Sequence, residues 1–126
     1  MTLFAWLYQK TKDPELFTQA LCVAGYSYGH RDPRTGLVIN EPDKGRWDAK
    51  VCTTEIGVWA QSMLRSARYA SHDEFVQMAR NVIKTYLKYG YDNEKELFYG
   101  QLSVTNGKPV IPKKTGYWPP STPMLK

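Results

Sequence analysis

The chain has 126 residues, of which 42% are hydrophobic and 23% are charged, and its formal net charge is +5. The length fits one domain, and the composition is typical of a globular protein and excludes a disordered chain. No apolar run approaches the roughly 20 residues that span a bilayer, so we expect no membrane partner. The positive charge suits an anionic partner such as an acidic sugar, or serves solubility alone. Because the basic residues are spread along the chain, we expect no nucleic-acid partner.

Two helices are predicted in the first thirty residues. Residues 3–10 are short and largely apolar, so this helix must pack on another element. The segment lacks the basic flank and the small-residue cleavage site of a signal peptide, and the sequence indicates no compartment. Asp13-Pro14-Glu15 then supplies a cap, a first-position proline and an acid suited to the helix dipole. The apolar stripe continues to Ala24, and the helix should end within residues 25–29.

A helical hairpin is predicted in the middle of the chain. Its first helix should begin at Thr53 or Thr54 and end near Ala70, with apolar residues at strong helical spacing. The second should open with a capping box, S-x-x-E, at residues 71–74. Gly90 lies where a left-handed helix cap is expected. Since few residues separate the two helices, they should pack antiparallel.

The pattern changes after the fourth predicted helix. Residues 97–104 alternate roughly between apolar and polar, and Asn106-Gly107 is the favoured dipeptide of a type I′ turn. A small β-hairpin is therefore predicted, followed by a proline-rich extended tail. We divide the chain into a helical-hairpin domain, residues 1–104, and a hairpin return with its tail, residues 105–126.

The sequence carries no signature of a metal or cofactor site. Its two histidines are far apart and Cys22 and Cys52 lack ligand spacing, so we expect no metal. Phosphate-binding and dinucleotide-binding glycine motifs do not occur, so we expect no cofactor. Cys22 lies on the apolar side of the second helix and should be buried. If the protein is secreted, a disulfide between Cys22 and Cys52 is the alternative.

Helix pairs and loops resemble those of (α/α)-toroid carbohydrate-active enzymes, which include six-hairpin glycosidases and polysaccharide lyases. One loop is the D-P-x-T-G-L pattern at residues 32–37, and another runs from Asp92 to F-Y-G at residues 98–100. Residues 56–87 are similar to the outer and inner helices of that fold. The resemblance covers residues 13–99. It implies an all-α fold of antiparallel helical hairpins, a partial (α/α) toroid with a small C-terminal β-hairpin and a Pro-rich tail.

The resemblance implies part of a polysaccharide lyase or glycoside hydrolase acting on an acidic or neutral oligo- or polysaccharide. A complete toroid has many more helices than this chain predicts. The chain would therefore be incomplete, or it would associate with the missing part or with another copy of itself. The alternative is a non-catalytic helical module, which self-associates or binds a partner through the unfinished faces of its hairpins.

In toroid enzymes the loops at helix ends line a sugar cleft, which implicates the end of the second helix. Tyr26 and Tyr28 would stack on a sugar, and Tyr28 would protonate a leaving group. Arg31 and Arg34 would bind a carboxylate through forked hydrogen bonds, and His30 would act as general base. Together these roles suit β-elimination on a uronic acid. The alternative is local: a core tyrosine, a histidine at a helix C-terminus and a simple turn.

A second group of candidates surrounds the start of the third helix. Trp47 would form a sugar platform beside the carboxylate of Asp48, and Asp48 with Glu55 is the candidate carboxyl pair of a glycosidase. Glu55 also suits the first turn of a helix, and Trp47 also suits the core. Tyr99 is a further candidate contact for a sugar in the groove.

Overall fold

The structure is a computed structural model that describes residues 1–39 and 50–110, and 61% of these are helical. The four helices of the described ranges are α1 (Thr2–Thr11), α2 (Pro14–Gly29), α3 (Thr53–Ala70) and α4 (Glu74–Gly90). Four short strands accompany them: β1 (Lys50–Cys52), β2 (Tyr91–Asp92), β3 (Leu97–Phe98) and β4 (Gln101–Ser103). The predicted class, mostly helical with a small β-hairpin region, is confirmed.

The helices pack in a layer in which α1 contacts both α2 and α3, and α3 packs against α4 as the predicted hairpin. The α1–α2 contact is close because Ala5 and Ala20 are fully buried there and carry only a methyl group. Phe75 and Met63 fill the centre of this first core. At the edge, the hydroxyl of Thr2 donates to the carbonyl of Ser62 across 3.2 Å, which fixes α1 on α3.

A second core lies between α4 and the strands. β1 pairs with β4 in antiparallel register, with Val51 opposite Leu102, and both side chains are buried. Val82 and Tyr86 of α4 cover this pair. The sequence did not predict β1, because three residues are too few to show the alternation of a strand.

Several predicted helix ends are confirmed, but the capping box predicted for the fourth helix is wrong. Asp13 accepts a 3.0 Å hydrogen bond from the backbone of Glu15 and caps α2 as expected. The capping box at residues 71–74 does not form, because Ser71 adopts a left-handed conformation (φ 52°) and ends α3 instead. The capping box of the hairpin is at the start of α3, where a carboxylate oxygen of Glu55 accepts from the backbone of Cys52.

The two expected turn glycines behave differently from the prediction. Gly90 has no positive φ and is followed by extended backbone, so it is not a left-handed cap. Gly107 does have a positive φ of 71°, but Asn106 does not, so the turn is not type I′. The hairpin nonetheless forms, with a bridge between Leu102 and Pro109.

The cysteines correct another expectation. Cys22 is exposed on α2 and not buried, and both Cys22 and Cys52 are free thiols. Among the described residues, no helix is long and apolar enough to span a membrane. The proposed boundary at residue 104 stays a prediction, and residues 111–126 of the tail lie outside the described part of the chain.

Candidate functional site

The end of α2 forms a stacked group with α4. The Cζ atom of Arg31 lies 3.7 Å from the centroid of the Tyr28 ring, and its Nε donates to the Tyr28 carbonyl across 2.7 Å. From α4, the side-chain amide of Asn81 donates to the Tyr28 hydroxyl across 2.8 Å. That hydroxyl accepts one bond and keeps its own proton to donate. The terminal guanidinium nitrogens of Arg31 have no hydrogen-bond partner within residues 1–39 and 50–110.

Tyr26 and His30 form a separate group on the other side of α2. Residues two apart on a helix project about 200° apart, so Tyr26 and Tyr28 face opposite ways. The Tyr26 and His30 rings stack at 4.2 Å between centroids, and Nδ1 of His30 donates to the Tyr26 carbonyl across 2.7 Å. His30 therefore lies at the C-terminal cap of α2, as the local alternative expected, and not beside Tyr28. The same alternative placed Tyr26 in the core, which is wrong, because Tyr26 is 47% exposed.

Arg34 is engaged within its own turn. Its Nη2 lies 2.8 Å from Oδ2 of Asp32 and its Nε lies 3.2 Å from Oδ1, a forked pair. Asp32 is only 4% exposed and also accepts from the backbone of Arg34 and Thr35. The hydrogen bond from the Arg34 side chain lowers the pKa of Asp32, more than burial raises it. Because Asp32 occupies the fork, Arg34 is not open to a substrate carboxylate as Arg31 is.

The remainder of this turn is structural. Gly36 has a positive φ of 75° and donates its backbone N–H to the Asp32 carbonyl across 2.7 Å. The hydroxyl of Thr35 donates to the carbonyl of Val104 across 2.6 Å, which ties the turn to the second core. The D-P-x-T-G-L segment therefore holds the chain that follows α2 against the strands.

Tyr99 belongs to a different network. Its hydroxyl donates to Oδ2 of Asp92 across 2.7 Å, which lowers the pKa of Asp92 and raises that of Tyr99. The Tyr99 carbonyl accepts from the hydroxyls of Thr53 (2.8 Å) and Tyr86 (3.0 Å). These bonds fasten the β2–β3 turn to the start of α3, so the polar contacts of Tyr99 are structural.

A small cleft lies beside the start of α3. Its volume is about 60 Å³, and its lining residues are Ser27, Val38, Ile39, Val51, Glu55, Ile56 and Trp59. The indole N–H of Trp59 is buried and, among the described residues, has no hydrogen-bond partner. The volume suits a few water molecules and not a sugar ring. The sequence placed Trp59 on an apolar stripe and gave no signal that its N–H would lack a partner.

Of the second group of candidates, the structure describes Glu55 alone. Trp47 and Asp48 lie outside the described residues, so the sugar platform and the Asp48–Glu55 pair stay predictions. Glu55 itself serves the capping box of α3, the reading that its sequence position favours. Within the described part of the chain, no group of three or more His, Cys, Asp or Glu residues could hold a metal ion.

The chain was compared with known families, curated proteins and solved structures. No family model, no curated protein and no solved structure matches it.

Proposed function

We propose that this chain is part of an (α/α)-toroid carbohydrate-active protein, such as a polysaccharide lyase or glycoside hydrolase, and that it binds an acidic saccharide. The binding group is the Arg31–Tyr28–Asn81 cluster, defined by these three residues. The observation that carries the proposal is the guanidinium of Arg31, which lies 3.7 Å over the Tyr28 ring with its terminal nitrogens unpartnered among the described residues.

The chemistry of this cluster fits a uronate. Two N–H groups of a guanidinium match the two oxygens of a carboxylate, and stacking on Tyr28 holds the Arg31 plane in one orientation. The Tyr28 hydroxyl has its proton available for a sugar oxygen, since it accepts from Asn81. The carbonyl oxygen of the Asn81 side chain would accept from a sugar hydroxyl.

The cluster supports binding better than turnover by this chain alone. β-Elimination needs a general base beside the neutralised carboxylate, within hydrogen-bond reach of the proton it removes. His30 lies on the opposite side of α2 from Tyr28 and its Nδ1 is held by the Tyr26 carbonyl. A lyase or hydrolase reaction would therefore draw its base from Asp48, outside the described residues, or from a further part of the protein.

Isothermal titration with a galacturonate tetramer tests this function. The wild type should bind it more tightly than a neutral glucose tetramer. Arg31→Met keeps an unbranched apolar stem over Tyr28 but removes the donors, and should weaken binding by about tenfold or more, as expected for a charge-assisted pair. Arg34→Met is the matched control, because the Arg34 fork is already occupied by Asp32. Equal binding by Arg31→Met and wild type would refute the proposal.

A further inference from the structure

The helices α3 and α4 expose two apolar stripes. On α3, the exposed face of Gly57 and Leu64 carries one large apolar side chain, Leu64, while Val58 projects about 100° away from Gly57. On α4, Ile83 and Leu87 lie on one exposed face. Leu64 is 47% exposed, Ile83 38% and Leu87 43%. Burial of Ala60 and Ala79, each four residues before an exposed apolar side chain, shows that these stripes flank the packed α3–α4 interface.

The other edges of both helices are occupied, which places the stripes together. Ser62, on the far edge of α3, accepts from Thr2 of α1. On α4, Asn81 bonds to Tyr28, and Thr85 lies within 4 Å of the Cβ position of Gly36. The exposed stripes therefore border one groove along the outside of the hairpin. We call this the hairpin groove, defined by Gly57, Gln61, Leu64, Arg80, Ile83 and Leu87.

The rim of the hairpin groove is basic. The exposed charged side chains beside it are positive: Arg65, Arg68, Arg80 and Lys84. The acidic residues of these two helices lie elsewhere: Glu55 serves the cap at the start of α3, and Glu74 bonds to His72 at 3.2 Å. A partner that covers the apolar stripes must therefore bring negative charge to their flanks.

The backbone of α3 is uncovered at Gly57. A glycine inside a helix is unfavourable relative to alanine and leaves the backbone uncovered. A Cβ built at Gly57 would meet nothing within 4 Å in the part of the chain that the structure describes, so no described neighbour requires the glycine. The absence of a side chain instead leaves room for another backbone to approach at this point of the groove.

We propose that the hairpin groove docks an amphipathic α-helix of a partner protein whose apolar stripe is flanked by Asp and Glu. Ridges of a third helix fit the groove between two packed helices, and acidic flanks meet the basic rim. A second copy of this chain would oppose like charges across the same face. An anionic membrane surface would meet a groove without the exposed aromatic side chains that favour interfacial binding.

Synthetic helical peptides test the charge requirement. One peptide carries a Leu/Ile stripe flanked by Glu, and its matched partner replaces every Glu with Lys. Fluorescence anisotropy should show binding of the Glu peptide at least about tenfold tighter, falling as salt is raised. Arg80→Glu combined with Lys84→Glu should reverse the preference. Leu3→Asp, at a 63% exposed position of α1, is the control and should change nothing.

Gly57→Ala separates docking from folding. It should raise the melting temperature, because alanine favours a helix. It should also weaken binding of the Glu peptide by about tenfold or more, because the added methyl group fills the gap in the groove. Failure to bind either peptide, or equal binding of both, would overturn the proposal. Binding to phosphatidylserine vesicles, or a dimer in light scattering, would also overturn it if substitution of Ile83 abolished that binding or that dimer. The galacturonate titration is a separate readout, because the hairpin groove and the Arg31–Tyr28–Asn81 cluster share no residue.

Discussion

The ring of Tyr86 occupies the space that a side chain at Gly90 would need. A Cβ at Gly90 would lie 2.6 Å from Cε1 of Tyr86, closer than such contacts occur. The ring has little freedom to move, because it is buried and its hydroxyl lies within hydrogen-bond distance of Thr53 (2.8 Å) and the Tyr99 carbonyl (3.0 Å). The glycine is therefore required by packing against Tyr86 and not by a left-handed backbone.

Gly90→Ala should lower the free energy of unfolding by about 1–3 kcal/mol, the usual range for overpacking a core. Gly25→Ala is the matched control, since a Cβ at Gly25, inside α2, meets nothing within 4 Å among the described residues. That change should be neutral or stabilise by up to about 1 kcal/mol, because alanine is the better helix former. Urea denaturation of both variants checks this, and equal effects of the two changes would contradict the packing account.

Asp32 should make stability depend on acid pH. The hydrogen bond from Arg34 lowers the folded-state pKa of Asp32, so its contribution is present above the unfolded pKa of about 3.9 and is lost as pH falls through the lower folded value. Asp32→Asn should therefore destabilise at neutral pH, by about 1–3 kcal/mol for a buried hydrogen-bonded carboxylate. The difference from wild type should shrink as pH falls below the unfolded pKa and through the lower folded one. Urea denaturation across this range measures it, and a pH-independent difference would be inconsistent with the ion pair.

The two thiols should react at different rates. Cys22 is exposed, whereas burial raises the pKa of Cys52 and leaves less thiolate at mildly alkaline pH. With Ellman's reagent, Cys22 should react at least about tenfold faster than Cys52, because the thiolate is the nucleophile and access is required. Cys22→Ser should remove the fast phase alone. A single rate for both thiols in the wild type would contradict the positions of these side chains.

Local helix signals in the sequence were reliable where no neighbouring helix end needed the same residue. The cap at Asp13 depends on the next few residues only, and the structure confirms it. The S-x-x-E pattern at Ser71 failed because the same residue is needed to end α3 in a left-handed conformation. The two helices are too close in sequence for Ser71 to serve both ends.

Contacts between distant residues could not be read from the sequence. The pairing of β1 with β4 joins segments about fifty residues apart, and neither strand is long enough to show a period. The candidate site residues at the end of α2 fall into two separate groups for a similar reason. Once α2 extends through Gly29, helical geometry separates Tyr26 from Tyr28, and only contact with Asn81 of α4 identifies the side that faces a neighbouring helix.

The central claim, an acidic-saccharide site at the Arg31–Tyr28–Asn81 cluster, is tested most directly by NMR titration with the galacturonate tetramer. We predict that the Arg31 Nε–H and the Asn81 side-chain amide signals shift most, in a saturable manner, and that Arg31→Met abolishes the Asn81 shift. Saturable shifts confined to Tyr26 and His30, or the absence of saturable shifts, would contradict the account.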